Sequence, residues 1–182
     1  MNIKYILGIA LWIAIIACAI EANATKAQYY SDLTLTNQEI SSEALSIPFL
    51  DEKGEPLILD NSDGTIRIVH FWATWCSDCL GEITALDRLQ HHFRKQPLQV
   101  IAISEDFKAT ETVREFYSKE GIKNLPLYMD DRMKLLEGFK FTSLPSTVIL
   151  DVSGNILAFA IGPVDWDNMQ IRDTIKQMLP RS

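Results

Sequence analysis

Cysteine and histidine are scarce in this sequence, and that limits the kinds of site it can build. The chain has three of each, and Cys18 lies in an apolar N-terminal stretch, which leaves Cys76 and Cys79 for the rest. A framework of structural disulfides uses more cysteines, and a zinc site needs about four ligands. His91 and His92 are neighbours at the predicted end of a helix, where they indicate a solvated face. We therefore predict no metal site and favour redox chemistry by the Cys-x-x-Cys pair.

The sequence also has fewer basic residues than acidic ones. Lysine and arginine number 17 against 24 aspartates and glutamates, for a net charge of −7. Binding to nucleic acid requires a basic face, so the composition argues against that class of partner. A hydrophobic content of 47% and a charged content of 23% are typical of a globular domain. We expect one domain preceded by a short leader.

The apolar N-terminal stretch predicts export. Ile6–Ile20 is almost unbroken in its hydrophobicity, and Ala22–Ala24 follows as a small-x-small cleavage pattern. The stretch is short for a full span, which needs about 20 residues. Ile15–Cys18 is similar to the lipobox of bacterial lipoproteins, whose cysteine carries the lipid. Residues 1–24 are thus expected to be a signal peptide or a membrane anchor, with cleaved, uncleaved and lipidated forms all open. The expected location is the periplasm or the outer face of the cytoplasmic membrane.

The remainder of the chain divides into a linker and an α/β domain. Residues 25–44 are polar and without pattern, which predicts a linker. From residue 45 to 182, strand and helix patterns follow one another in the order β-β-β-α-β-α-β-α-β-β-α, which predicts one mixed β-sheet flanked by helices. A β-hairpin turning at Gly54 opens this domain. Ile66–Trp72 is nearly continuous in β-branched and aromatic residues, as in a central strand buried on both faces. The final helix is predicted to begin after Pro163, with Asp165 as its N-cap.

The cysteine pair falls where this central strand gives way to a helix. Unpaired backbone N–H groups and the helix dipole stabilise a thiolate at that position, and they lower the pKa of Cys76 from about 8.5 towards neutrality. Two intervening residues bring the sulfurs of Cys76 and Cys79 within bonding distance, so a disulfide can close reversibly. Cys76, at the exposed end, would attack a partner disulfide, and Cys79 would resolve the mixed disulfide.

A known family shares this arrangement. The segment Phe71–Glu82, with its Trp-Cys-x-x-Cys-x-x-Glu ending, resembles the TlpA/ResA-like branch of the thioredoxin superfamily. Leu144–Thr147 and Gly162–Trp166 fall where that branch has its cis-proline loop and the start of its final helix. The resemblance covers about residues 45–180. It implies a thioredoxin-like fold, with the hairpin as an N-terminal extension, and a membrane-tethered thiol–disulfide oxidoreductase that faces outward.

The resemblance also implies roles for single residues. Cys76 is the nucleophile and Cys79 the resolving thiol, and their redox-active disulfide requires no other cofactor. Glu82 matches an acidic residue linked to proton handling, although a solvent-facing helix glutamate is the alternative.

Three further residues are implied to contact the substrate. Pro145 matches the cis-proline that faces the disulfide, where the backbone at Leu144 can pair with an extended substrate segment. Trp75 is expected to shield the disulfide and to touch partners. The implied partners are oxidised protein thiols and a membrane electron donor of the DsbD/CcdA kind, and many members of the branch serve cytochrome c maturation.

The sequence also departs from the family pattern near the thiols. Asp78 places a negative charge beside them, and Leu80 stands where a basic residue is common. Both changes disfavour the thiolate and so favour the disulfide, which predicts a reductase. An oxidase or isomerase, and a Cu(I)-binding metallochaperone module, remain as alternatives. His70 occupies the position of a buried acid in thioredoxins, and either relays protons to Cys79 or is an ordinary strand histidine.

Overall fold

A computed structural model describes residues 33–35, 42–59, 63–130 and 132–180. The strands among these residues are β1 Thr34–Leu35, β2 Phe49–Asp51, β3 Pro56–Leu57, β4 Ile66–Trp72, β5 Leu98–Ser104, β6 Tyr128–Met129, β7 Ser146–Leu150 and β8 Ile156–Ile161. The helices are α1 Ser42–Leu45, α2 Ser77–Phe93, α3 Thr110–Glu120, α4 Lys134–Gly138 and α5 Met169–Met178. From β2 onward, the order of elements is the predicted one.

All eight strands join one sheet, in the order β1-β8-β7-β4-β5-β6-β2-β3. The pairs β4–β5 and β5–β6 are parallel, and the other pairs are antiparallel. The predicted α/β fold with a mixed sheet is confirmed. The hairpin of β2 and β3 is present as well, and Gly54 adopts a φ of 82° in its turn, a conformation that glycine reaches without strain.

The predicted linker contributes two short elements to the fold. β1 lies within residues 25–44, and α1 begins there at Ser42 and ends at Leu45. β1 pairs with β8 through Thr34 opposite Phe159. The predicted leader, residues 1–24 with Cys18, lies outside the described residues. Within the described residues, no helix has the length and apolarity that crossing a membrane requires.

β4 is the centre of the sheet and is buried along its whole length. Ile68 and Trp72 pack into one apolar cluster together with buried residues of α2 such as Ile83. Val69 and Phe71 point to the opposite face and pack into a second cluster with residues of α4. Full burial of such a side chain contributes about 1.5–3 kcal/mol. These contacts fix the end of β4, from which the chain enters the turn that carries the cysteines.

The final helix begins later than the sequence predicts. We expected a start just after Pro163, but α5 begins at Met169, and the side chain of Asn168 caps it by accepting from the backbone N–H of Gln170 at 2.8 Å. The physical reason is that the preceding segment takes a non-helical path over α2. There, the backbone N–H of Val164 and the indole N–H of Trp166 both donate to a side chain of α2.

The position of this cap can be tested by mutation. Asn168→Ala removes the acceptor for a free N–H group of α5 and is expected to lower the free energy of unfolding by about 1 kcal/mol. Asp165→Ala is the matched control, because Asp165 is the cap that the sequence predicts. This variant is expected to lower the free energy of unfolding by no more than about half as much. Urea unfolding monitored by circular dichroism measures both. A larger loss for Asp165→Ala would contradict the cap assignment.

Candidate active site

Cys76 and Cys79 are joined by a disulfide at the start of α2. Cys76 is the N-cap residue, with extended backbone dihedrals, and its carbonyl accepts the backbone N–H of Cys79 at 3.1 Å. The two Cα atoms are 5.3 Å apart. Cys76 keeps 9% of its surface accessible, whereas Cys79 is fully buried. Cys76 is therefore the more accessible of the two cysteines.

Glu82 lies three residues after Cys79 on the same face of α2. Its side chain is only 5% exposed. The oxygen Oε1 accepts the backbone N–H of Val164 at 2.9 Å and the indole N–H of Trp166 at 2.8 Å. The other oxygen, Oε2, is buried without a hydrogen-bond partner among the described residues. This burial excludes the alternative of a solvent-facing helix glutamate.

Burial also changes the acidity of Glu82. Removal from water raises the pKa of its carboxyl to about 7, because the two hydrogen bonds that stabilise the charged form offset only part of this effect. The nearby negative charge of Asp78 raises the pKa of Glu82 further. Near neutral pH, the carboxyl therefore passes readily between its protonated and ionised forms, which is the property of a proton donor and acceptor.

His70 lies in β4, on the α2 side of the sheet, and is fully buried. Its Nδ1 atom is 2.9 Å from the hydroxyl of Thr147, and its ring meets that of Trp166 edge-on, with the centroids 6.4 Å apart. Burial lowers the pKa of His70 to about 3. The imidazole is therefore neutral at physiological pH, which argues against proton relay by titration. His70 fits the alternative of a structural strand histidine, with a threonine hydroxyl as its partner.

The predicted substrate-contacting residues lie at the same end of the sheet as the disulfide. The peptide bond between Leu144 and Pro145 is cis. Ser146, the next residue, pairs with Phe71 near the end of β4, and the carbonyl of Pro145 accepts the backbone N–H of Gly162 at 2.8 Å. Leu144 is half-buried. Close to the disulfide in sequence, the side chain of Trp75 is 64% exposed, which leaves its ring available to a partner.

Sequence reasoning missed the residues that hold the cysteine turn from outside. Asp106, just after β5, is buried, and its carboxylate accepts both the backbone N–H and the hydroxyl of Thr74. One signal in the sequence could have identified Asp106. It is a polar loop residue just after a buried strand, β5, which lies next to the strand that leads into the cysteine turn. Trp166 is another such residue, since its indole N–H donates to Glu82, a contact that the sequence did not predict.

The histidine pair lies away from this site. His91 and His92 are exposed in the last turn of α2, as a solvated face would be. In the part of the chain that the structure describes, no group of three or more histidine, cysteine, aspartate or glutamate side chains is arranged to hold a metal ion.

The raised pKa of Glu82 predicts a pH-dependent contribution to stability. Between about pH 4.5 and about pH 7, the carboxyl is ionised in the unfolded chain but protonated in the folded protein. Its contribution is therefore highest at low pH and falls as the pH rises through this window. Glu82→Gln does not titrate, so the free energy of unfolding of the wild type relative to this variant should fall by up to about 3 kcal/mol across the window.

Chemical denaturation at a series of pH values measures this difference. Glu111→Gln is the matched control, because it makes the same chemical change at an exposed glutamate of α3. A difference between the wild type and Glu82→Gln that stays constant from about pH 4.5 to about pH 7 would contradict the raised pKa of Glu82.

Comparisons with known proteins agree with this geometry. The sequence pattern of the AhpC/TSA family matches residues 37–159. The thiol-disulfide oxidoreductase ResA of Bacillus anthracis is 24% identical over 142 residues, which are 78% of this chain and 80% of the relative. ResA of Bacillus subtilis is 24% identical over 121 residues, 66% of each chain. These relatives confirm the predicted enzyme class, thiol–disulfide oxidoreductase.

Solved structures confirm the fold. A thiol:disulfide interchange protein from Bacteroides sp. superimposes with a TM-score of 0.64 at 22% identity, covering 80% of this chain and 91% of the other. A secreted disulfide oxidoreductase of Mycobacterium tuberculosis, described as homologous to E. coli DsbE, gives a TM-score of 0.62 at 17% identity, covering 74% and 99%. The sheet order, the disulfide at the start of α2 and these similarities lead to one assignment. The chain belongs to the AhpC/TSA family of the thioredoxin superfamily.

Proposed function

We propose that this thiol–disulfide oxidoreductase is a reductase of protein disulfides that works outside the cytoplasm. The observation that carries the proposal is the disulfide at the start of α2, in which Cys76 keeps a small accessible surface and Cys79 is fully buried. In the reduced protein, the thiolate of Cys76 attacks a substrate disulfide and releases one substrate thiolate. Cys79 then attacks the sulfur of Cys76, which frees the second substrate thiolate and closes the disulfide of the enzyme.

The charges around the pair support the reducing direction. Asp78 adds a negative charge to the first turn of α2, where the helix dipole alone would stabilise the thiolate. Leu80 is half-buried and brings no positive charge. A less stable thiolate favours the disulfide over the dithiol, and a protein that favours its disulfide gives up electrons readily. This balance supports a reductase over an oxidase or isomerase.

Glu82 is suited to handle the proton of Cys79. The resolving step needs Cys79 as a thiolate, yet that thiol is fully buried and has no route for direct loss of its proton to water. Glu82 shares its helix face and has a pKa raised to about 7 by burial. In this proposal, Glu82 takes the proton as Cys79 attacks and returns it when the disulfide is reduced again.

The substrate face is formed by Trp75, Leu144 and Pro145. An extended segment of an oxidised protein would pair with the backbone beside Pro145 and contact the exposed ring of Trp75. Electrons would come from a membrane reductase of the DsbD/CcdA kind, and cytochrome c maturation is the pathway that the resemblance favours. The predicted leader, residues 1–24, supports a site of action in the periplasm or on the outer face of the membrane, with a membrane tether.

The reduction potential of the Cys76–Cys79 pair tests the direction of the reaction. We expect a midpoint at or below about −230 mV, approaching the value of thioredoxin at about −270 mV. Removing the charge beside the thiols with Asp78→Asn should raise the midpoint by roughly 10–30 mV. Equilibration in thiol buffers with thiol labelling gives both values. A wild-type midpoint near about −120 mV would instead identify an oxidant, and the reductase proposal would fail.

The assigned roles of the two cysteines predict a trapping result. Cys79→Ala leaves the attacking thiol intact but removes the resolving one, so mixed disulfides with substrates should accumulate through Cys76. Cys76→Ser is the matched control and should trap none. Non-reducing electrophoresis after expression in an exporting cell reveals such complexes. If Cys79→Ala captures nothing there, or Cys76→Ser captures as much, the assignment of nucleophile and resolving thiol is wrong.

A further inference from the structure

The turn between β4 and α2 carries both the accessible thiol and the exposed aromatic ring of the site. It comprises residues 73–76, and inside it the backbone N–H of Cys76 donates to the carbonyl of Ala73 at 3.1 Å. The side chain of Cys76 makes no capping hydrogen bond at the start of α2. This one internal hydrogen bond is supplemented by contacts from outside the turn, which are made to Thr74.

Those contacts come from Asp106, in the loop after β5. Its Oδ2 atom accepts the backbone N–H of Thr74 at 2.8 Å, and its Oδ1 atom accepts the hydroxyl of Thr74 at 2.6 Å. The hydroxyl of Ser104 donates to Oδ2 at 2.7 Å and accepts the backbone N–H of Asp106 at 3.1 Å, so the carboxylate is itself anchored to the end of β5. Hydrogen bonds to a carboxylate are about twice as strong as neutral ones.

The neighbouring backbone makes this attachment rigid. The N–H of Glu105 donates to the carbonyl of Trp72 at 2.8 Å, which continues the pairing of β4 and β5 up to the turn. Asp106 is 5% exposed and Ser104 is fully buried. Water therefore competes little for these hydrogen bonds, and the loss of a donor would leave part of a buried carboxylate unsatisfied.

We propose that Asp106 is a positioning residue for Cys76, which acts by clamping Thr74 and so holds the turn at the N-terminus of α2. The proposal rests on the proposed function, because the thiol that it positions is the attacking one. The clamp keeps the sulfur of Cys76 where the backbone N–H groups and the helix dipole stabilise its thiolate. It also presents Trp75 from the same short turn.

Asp106 acts on the thiol in two opposite ways. Its hydrogen bonds to Thr74 favour the thiolate by fixing its position, whereas its negative charge disfavours the thiolate. Two substitutions separate these effects. Asp106→Asn removes the charge, and a flipped amide can still accept from the backbone N–H of Thr74 and donate to the hydroxyl of that residue. Thr74→Val keeps the charge and the shape but removes the hydroxyl of the clamp.

Other titratable groups lie on the two elements that the turn joins and around Asp106. They are Asp78 and Glu82 on α2, His70 on β4, Glu105 and Lys108 in the loop after β5, and Asp51, which lines a pocket together with Asp106 and Lys108. All of them are unchanged in both variants, so they do not account for a difference between the two.

The experiment measures the pKa of the Cys76 thiol in the reduced full-length protein. The rate of alkylation by iodoacetamide is followed against pH. Tandem mass spectrometry locates the alkyl group within the peptide that contains both Cys76 and Cys79, and so separates these two thiols from each other and from Cys18. We expect Thr74→Val to raise the pKa of Cys76 and Asp106→Asn to lower it, each by roughly half a unit or more. A change that merely loosened the fold would not move the pKa in opposite directions.

Two controls accompany the measurement. Thr74→Ser retains the hydroxyl and should give the wild-type pKa of Cys76. Asp151→Asn alters a carboxylate that clamps the β7–β8 turn in a similar way, through the backbone N–H groups of Ser153 and Asn155, at the opposite end of the sheet. It should also leave the pKa of Cys76 unchanged. Circular dichroism checks that each variant is folded. If Thr74→Val does not fold, Thr74→Ala takes its place, because it also removes the hydroxyl and leaves the charge of Asp106 unchanged.

The outcomes for this proposal and for the proposed function are distinct. Shifts in the same direction, or no shift in folded variants, would overturn the clamp even if the wild-type protein reduces protein disulfides. Opposite shifts support the clamp, and they would do so even if the wild type proved to be an oxidant. If Asp106→Asn raised the pKa of Cys76, the negative charge of Asp106 would not be disfavouring the thiolate, and the proposal would fail.

Discussion

Complete burial of β4 is the constraint on which the rest of the structure depends. Because both faces of this strand are covered, by α2 on one side and α4 on the other, its end is fixed in space. The chain must then leave the sheet through a short turn and enter α2 with Cys76 as its N-cap, at the helix end where the first backbone N–H groups have no partner within the helix. The parallel neighbour β5 ends at the same edge, and the loop after it supplies the carboxylate that holds the turn. The reactive thiol is thus placed by packing and is then adjusted by a few polar contacts.

Several titratable side chains near the cysteines are buried. Glu82, His70 and Glu105 all lie in the interior, and each has at least one buried polar atom without a hydrogen-bond partner in the described part of the chain. An unsatisfied buried polar group costs about 1–3 kcal/mol, so packing elsewhere has to offset these groups. Glu82 and His70 both contact Trp166, through the indole N–H and the ring edge respectively. Trp166 therefore links the segment before α5 to the helix that carries the disulfide.

Much of the fold was predictable from the sequence, because its strands and helices follow simple periodic patterns. The continuous apolar run of β4 and the turn at Gly54 are local signals, and the Cys-x-x-Cys motif marks the start of α2. What could not be predicted depends on contacts between residues distant in sequence. The path before α5 is determined by donation to Glu82, which lies more than 80 residues earlier. The role of Asp106 at Thr74 likewise arises only when β4 and β5 pair. The polar segment at residues 34–35 forms a strand because β8 offers it an edge, a context that no local pattern contains.

The proton balance of the proposed reaction explains why one of these buried groups is suited to the chemistry and two are not. Reduction of a disulfide to two thiols takes up two protons with two electrons, and Cys79 is shielded from water. A group that serves it must change its protonation state near neutral pH. Burial lowers the pKa of His70 to about 3 and raises that of Glu105 to about 9, so each keeps a single form at pH 7. Burial raises the pKa of Glu82 only to about 7, because the N–H groups of Val164 and Trp166 stabilise its charged form. Without those two donors, desolvation would carry the pKa of Glu82 higher, and the carboxyl would stay protonated like that of Glu105. The non-helical path before α5 therefore has a chemical consequence, since it keeps a buried acid able to exchange a proton beside the resolving thiol.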